Sequence, residues 1–157
     1  MSIFYYISIT VFALYILCIA ITKGVTKSIS ASVYELGENK LISSLFTWFC
    51  FLTSITLLPY WIDYSDTDLN IIPFVACSSL IFVGASPYFK SHQKIAHFSS
   101  AIVCFASTYL WIYLYADPLI LRLSIIALIA LSLSKNRLFW WELTAFATIY
   151  KALMLNN

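Results

Sequence analysis

Long uninterrupted apolar runs alternate with short polar connections along this chain. Six runs stand out: residues 3–22, 41–61, 71–89, 95–115, 118–133 and 138–155. A bilayer core about 30 Å thick needs about 20 apolar residues of helix. Backbone groups in lipid have to be satisfied within their own segment, so runs of this length predict helices. The runs are continuous and lack the two-residue alternation of an outer-membrane barrel. The pattern predicts an all-α fold class: a polytopic integral membrane protein, one six-transmembrane-helix bundle with residues 1–157 as a single domain. No linker, low-complexity stretch or internal repeat interrupts it. The fifth run is short, about 24 Å at 1.5 Å per residue, and places Arg122 to snorkel to the outer surface. The sixth carries Glu142 and Lys151. The first run has no basic residue before it and no small-residue cleavage site after it, so it is expected to stay as a span and not to leave as a signal peptide.

The loops support the same division. Lys23, Lys27 and Lys40 follow the first run, Lys90 and Lys94 the third, Lys135 and Arg137 the fifth. The intervening loops carry Asp63, Asp66, Asp68 and Asp117 and no basic residue. Lys and Arg collect on the cytoplasmic side, so the expected arrangement has both termini outside, in the cytoplasmic membrane or an equivalent internal one. Pro59, Tyr60 and Trp61 are expected to close the second helix at the outer interface, and Pro118 after Asp117 suits a first helical turn. Trp140 and Trp141 are expected near the inner interface, with their N–H groups wet.

Composition narrows the function classes. Sixty-two percent of the residues are apolar, 18% aromatic and 10% charged, against about 45–50% apolar and about 25% charged in a soluble domain. A net charge of +2 is too weak for a phosphate-backbone reader, so no nucleic-acid partner is expected. Cys18, Cys50, Cys77 and Cys104 fall one to each of the first four runs without metal-ligand spacing, and read as soft packing residues. No HExxH, GxSxG or Gly-rich phosphate loop is present; no metal and no cofactor are expected. The acidic outer run DYSDTD lacks the Gly and terminal Glu of a calcium loop and reads as a solvated rim.

Helices in lipid associate through small and hydrogen-bonding residues. Ser43, Thr47, Cys50 and Ser54 form one such stripe, and His97, Ala101, Cys104 and Thr108 another. Gly84 and Ala85 are expected to admit a neighbouring helix closely, whereas Leu153, near the end of the last helix, is expected to tolerate truncation.

An ionisable residue inside a span is a functional candidate. Glu142 and His97 both fall one or two turns inside the inner interface, on the side of the loop SISASVYELGENK, residues 28–40. Ser32 and Glu35 there have capping-box spacing and Gly37 suits a stop. Glu142, His97, Ser30, Tyr34 and Glu35 form the candidate polar site. The duller alternative pairs Glu142 with Arg137 and leaves His97 to a backbone carbonyl.

Ile29-Ser30 after the first span, and FVGASPYFKSHQKIAHFSSAIVCF at residues 82–105 with its Ala96-His97 helix opening, resemble the DRAM-like superfamily of six-span membrane proteins. The likeness covers about half the chain, and the acidic residue that group often has just after the Ile-Ser pair is missing here. It implies a compact six-helix bundle and a lipid-linked role, and no established catalytic activity. The leading expectation is a non-enzymatic membrane module binding membrane lipids, another membrane protein or a second copy of itself. The alternatives are an intramembrane enzyme or proton-coupled carrier using Glu142 and His97, and a membrane-disrupting or pore-forming effector. A groove near Glu142 favours lipid binding, a wet path from Glu142 to Arg122 favours transport, and a Ser–His contact in a cavity favours hydrolysis.

Overall fold

The structure, a computed structural model, describes residues 2–35, 40–65, 67–89 and 92–155, with residues 2, 34, 35, 40–43 and 67 described by their backbone alone. Among the described residues every regular element is helical. α1 spans Ser2–Thr22, α2 Ser32–Glu35, α3 Lys40–Asp63, α4 Ile71–Ala85, α5 Gln93–Tyr115, α6 Pro118–Leu131 and α7 Arg137–Leu155. Short 3₁₀ turns at Thr67–Leu69 and Ser86–Tyr88 flank α4. The long helices follow the apolar runs closely, because an unbroken run has no other way to satisfy its backbone in an apolar setting. Four of them, within α1, α3, α4 with its 3₁₀ extension, and α5, are long and apolar enough to cross a membrane. Large apolar side chains face outward along them: Ile3 is 65% exposed and Ile102 68%. A soluble monomer rarely shows so continuous an apolar surface, and the chain reads as membrane-embedded.

Packing runs α1 on α3, α3 on α4, α4 on α5, and α5 on α7. The ring closes where α7 meets α1: Phe12 lies 4.7 Å from Phe146 between centroids. There the Tyr5 hydroxyl donates to the Tyr150 carbonyl at 2.9 Å, and Ser8 and Tyr150 share a hydrogen bond at 2.7 Å. α6 stands outside the ring against α7 and α5. It is tied by the Trp141 indole N–H to the Leu128 carbonyl at 3.1 Å, so this indole bonds a neighbouring helix instead of staying wet. Asp117 caps α6 through the Leu119 N–H at 2.7 Å, with Pro118 in the first turn as expected.

α3 and α4 approach closely at Gly84. A Cβ on Gly84 would lie 2.5 Å from Cys50 Cβ, and Thr47 Oγ1 donates to the Gly84 carbonyl at 2.8 Å. The stripe of small residues on α3 is thus a packing face at Thr47 and Cys50, with Ser54 buried beside them. Two expectations from the helix ends are corrected. α3 continues past Pro59 to Asp63, and Tyr60 and Trp61 are buried in the core with Trp111, because α5 and α7 reach this level and cover them. Leu153 is also wholly buried, since α7 turns that side of its last turns toward the core.

Candidate functional site

Gly24, at φ +72°, turns the chain out of α1. The connection then runs along the first turns of α7. Asn136 donates its side-chain N–H to the Val25 carbonyl at 3.0 Å, and the Phe139 N–H reaches the Lys27 carbonyl at 3.2 Å. Three residues further on, Glu142 receives Ser30. Residues 136, 139 and 142 share one helix face at three-residue spacing, so a single face of α7 holds the whole loop.

Ser30 is the centre of the site. Its N–H donates to Glu142 Oε2 at 3.1 Å and its hydroxyl to Oε1 at 2.8 Å. His97 Nε2 stands 3.2 Å from Ser30 Oγ, and His97 Nδ1 stands 3.1 Å from Ser86 Oγ. Ser86 lies where the 3₁₀ turn leaves α4, its hydroxyl donating to the Val83 carbonyl at 2.7 Å. Ser28 Oγ, 3.1 Å from Ser30 Oγ, accepts the Ala31 N–H at 2.8 Å. Ser28, Ser30 and Ser86 are buried. Glu142 and His97 therefore meet through a bridging hydroxyl, and Glu142 is held by the loop and not by Arg137, which is exposed.

Of the residues expected at the site, Glu142, His97 and Ser30 come together. The side chains of Tyr34 and Glu35 lie outside the described residues, as does Gly37. Ser32 opens α2, but its hydroxyl donates to the Ile29 carbonyl and meets Tyr15 at 2.6 Å. The α1 interface takes the group that a capping box would use. Ser86 and Ser28 were not singled out as partners. The only sequence signal for Ser86 is its place eleven residues before His97, across the tight α4–α5 turn.

A cavity of about 100 Å³ lies inside the helix ring, walled by α3, α4, α5 and α7. Ser30 and Glu142 close its polar end, and Leu57 and Trp61 lie at the other. Most of the remaining wall is apolar: Phe49, Leu80, Ala101 and Phe146. The small residues of the α5 stripe, Ala101, Cys104 and Thr108, make room for it. Among the described residues no group of three His, Cys, Asp or Glu side chains is placed to hold a metal ion. No family pattern, characterised protein or solved structure matches the chain.

Proposed function

We propose that this chain binds one narrow lipid-like molecule inside its bundle, the apolar tail along the cavity and the polar group at Ser30 and Glu142. The observation that carries the reading is the cavity's asymmetry: an apolar tube with a carboxylate at one end. Ligand sites in membrane bundles are mostly apolar, with a few placed polar groups that fix orientation. At about 100 Å³ the cavity is smaller than the about 150 Å³ that takes a molecule the size of benzene, so it suits a tail of about four carbons. The Ser30–His97 contact also raises acyl transfer. That chemistry needs N–H donors aimed at a developing oxyanion. The N–H groups around Ser30 are engaged, Ser30 with Glu142, Ala31 with Ser28 and Ser32 with Ile29, which favours binding. The resemblance to the DRAM-like superfamily agrees with a lipid-linked role.

A four-carbon alcohol carrying a photoreactive diazirine on its tail tests the proposal. Photolysis of the purified protein is expected to mark Ala101, Cys104 or Phe146, and Ala101→Phe, which fills the cavity, is expected to cut that labelling about tenfold. Labelling confined to outward residues such as Ile126 and Ile129, unchanged by Ala101→Phe, would overturn it.

Six crossings with both termini outside are part of the same reading. Arg137 and Lys151, near the two ends of α7, are exposed while Glu142 turns inward, so α7 is able to cross with its charges at the interfaces. Cysteines placed at Asp68 and Asp117 are expected to react with an impermeant maleimide from outside. Those placed at Lys27, His92 and Lys135 are expected to react only after permeabilisation. All five positions are exposed. The opposite pattern reverses the orientation, and mixed labelling within one loop removes a span.

A further inference from the structure

The hydrogen bonds around Ser30 fix how many protons the site holds. Ser86 has one hydroxyl proton, and it goes to the Val83 carbonyl at 2.7 Å. The contact between Ser86 Oγ and His97 Nδ1 is then made by a proton on Nδ1. Ser30 also has one hydroxyl proton. If it goes to Glu142, the contact with His97 needs a proton on Nε2, and the imidazole carries both. If it goes to Nε2, the contact with Glu142 needs a proton on the carboxyl group. The two arrangements interconvert by shifting protons along Glu142–Ser30–His97. Both hold one proton more than a carboxylate with a neutral imidazole, and both leave the site uncharged. Removing that proton sacrifices one hydrogen bond of the set.

The cavity meets only part of this chain. Ser30 and Glu142 line it, while His97, Ser86 and Ser28 stand behind them. Ser30 Oγ is saturated: one proton given, two lone pairs occupied by His97 and Ser28. The carboxylate has about four lone-pair sites, and two take the Ser30 N–H and the Ser30 hydroxyl. What the polar end offers a ligand is the remaining acceptor capacity of a carboxylate. The other titratable groups nearby are Tyr15 of α1, which bonds Ser32, Cys50 of α3, Cys77 of α4 and Cys104 of α5. All four are uncharged at neutral pH at their ordinary values. Lys27 of the loop, Lys94 of α5 and Arg137 of α7 are exposed, and α6 brings only the exposed Arg122. Tyr34 and Glu35 have no described side chains. Among the described residues no lysine or arginine pairs with Glu142.

Building on the tail-binding reading, we infer that the ligand is a single-chain amine, whose ammonium group docks on Glu142 and displaces the site's proton. The balance is simple. R–NH₃⁺ enters, one H⁺ leaves to the buffer, and the buried site stays neutral with Glu142 as carboxylate and His97 as neutral imidazole. Keeping the proton as well would bury a net positive charge. A carboxylate or phosphate head would meet an acceptor with an acceptor, and an alcohol would bind without exchanging a proton.

Calorimetry on the whole protein in nanodiscs, titrated with butylamine, butanol and butyrate in buffers of different ionisation enthalpy, tests this. Butylamine is expected to bind about tenfold tighter than butanol, releasing about one proton per molecule bound. Butanol is expected to release none, and butyrate not to bind. Glu142→Gln is expected to lose the amine preference and keep butanol binding, which also reports that the variant is folded. Equal binding of amine and alcohol without proton release overturns the amine and leaves the tail reading standing. No binding of either by folded wild-type protein overturns both.

Discussion

Gly84→Leu is expected to abolish folding of the bundle in detergent. The glycine sits where α4 crosses α3, and even a methyl group there would stand 2.5 Å from Cys50 Cβ and 3.2 Å from Cys50 Sγ. Cys50 is wholly buried, and the clashing atom is its Cβ, which cannot move without the backbone of its helix. Overpacking a well-filled interior costs about 1–3 kcal/mol where neighbours adjust. Here the helices themselves have to part, which also stretches the Thr47–Gly84 hydrogen bond. A fall in the thermal midpoint of more than 10 °C, or loss of the monodisperse peak on size exclusion, is the expected reading; about 2–4 °C accompanies each kcal/mol in a chain of this length. Ile126→Ala on outward-facing α6, 62% exposed, is the control. Equal midpoints for the two variants would place the α3–α4 contact elsewhere.

Glu142→Ala is expected to release the loop after α1. The carboxylate is the common acceptor for the Ser30 N–H group and the Ser30 hydroxyl. Its removal leaves buried donors without partners, and it leaves His97 facing a hydroxyl with no acceptor behind it. Removing one partner from such a buried charged set costs about 3 kcal/mol. The effect is local, because Asn136 and Phe139 still hold the upstream part of the loop. Amide hydrogen exchange over residues 28–33 is expected to rise at least tenfold while α3 and α4 keep their protection. Glu142→Gln, which retains an acceptor of the same shape, is expected to recover most of that protection. Unchanged exchange in Glu142→Ala would mean that the loop is held by its apolar contacts alone.

Helix positions were legible in the sequence because lipid admits so few solutions. A run such as residues 95–115 has no charge to interrupt it, and the helix begins within two residues of its start. The loop cations and Asp117–Pro118 marked the boundaries for equally local reasons. What one-dimensional pattern withholds is the direction of each face. Leu153 looks like a lipid-facing residue near a helix end, yet it is wholly buried, and the Tyr60 hydroxyl donates to its carbonyl at 3.5 Å. Leu153→Ala is therefore a core truncation. Tyr60 and Trp61 misled in the same way, since an aromatic pair at a helix end suits the interface and the core equally.

The site was legible in part. Glu142 stands out because a charge in an apolar run is costly, and His97 because it opens a helix on the same side. Ser30 joined the candidates by its loop's place on that side, but its role as the bridge was not legible, because it comes from contacts separated by 112 residues with Glu142 and 67 with His97. Ser86 has no mark beyond its place eleven residues before His97. Such partners are set by which helices become neighbours, and that is decided by packing at places such as Gly84.

The closing contact between α1 and α7 sets an order of events during synthesis. Tyr5 and Ser8 are made well before their partner Tyr150, which lies 145 and 142 positions later. Chains are delivered from the N-terminus at about 5–20 residues per second, so these groups wait several seconds for a partner. Glu142 arrives in the same final stretch, so the loop after α1 and the polar end of the cavity stay unfinished until then. A chain stopped short of α7 thus leaves Tyr5 and Ser8 without Tyr150, and Ser30 without the carboxylate it bonds.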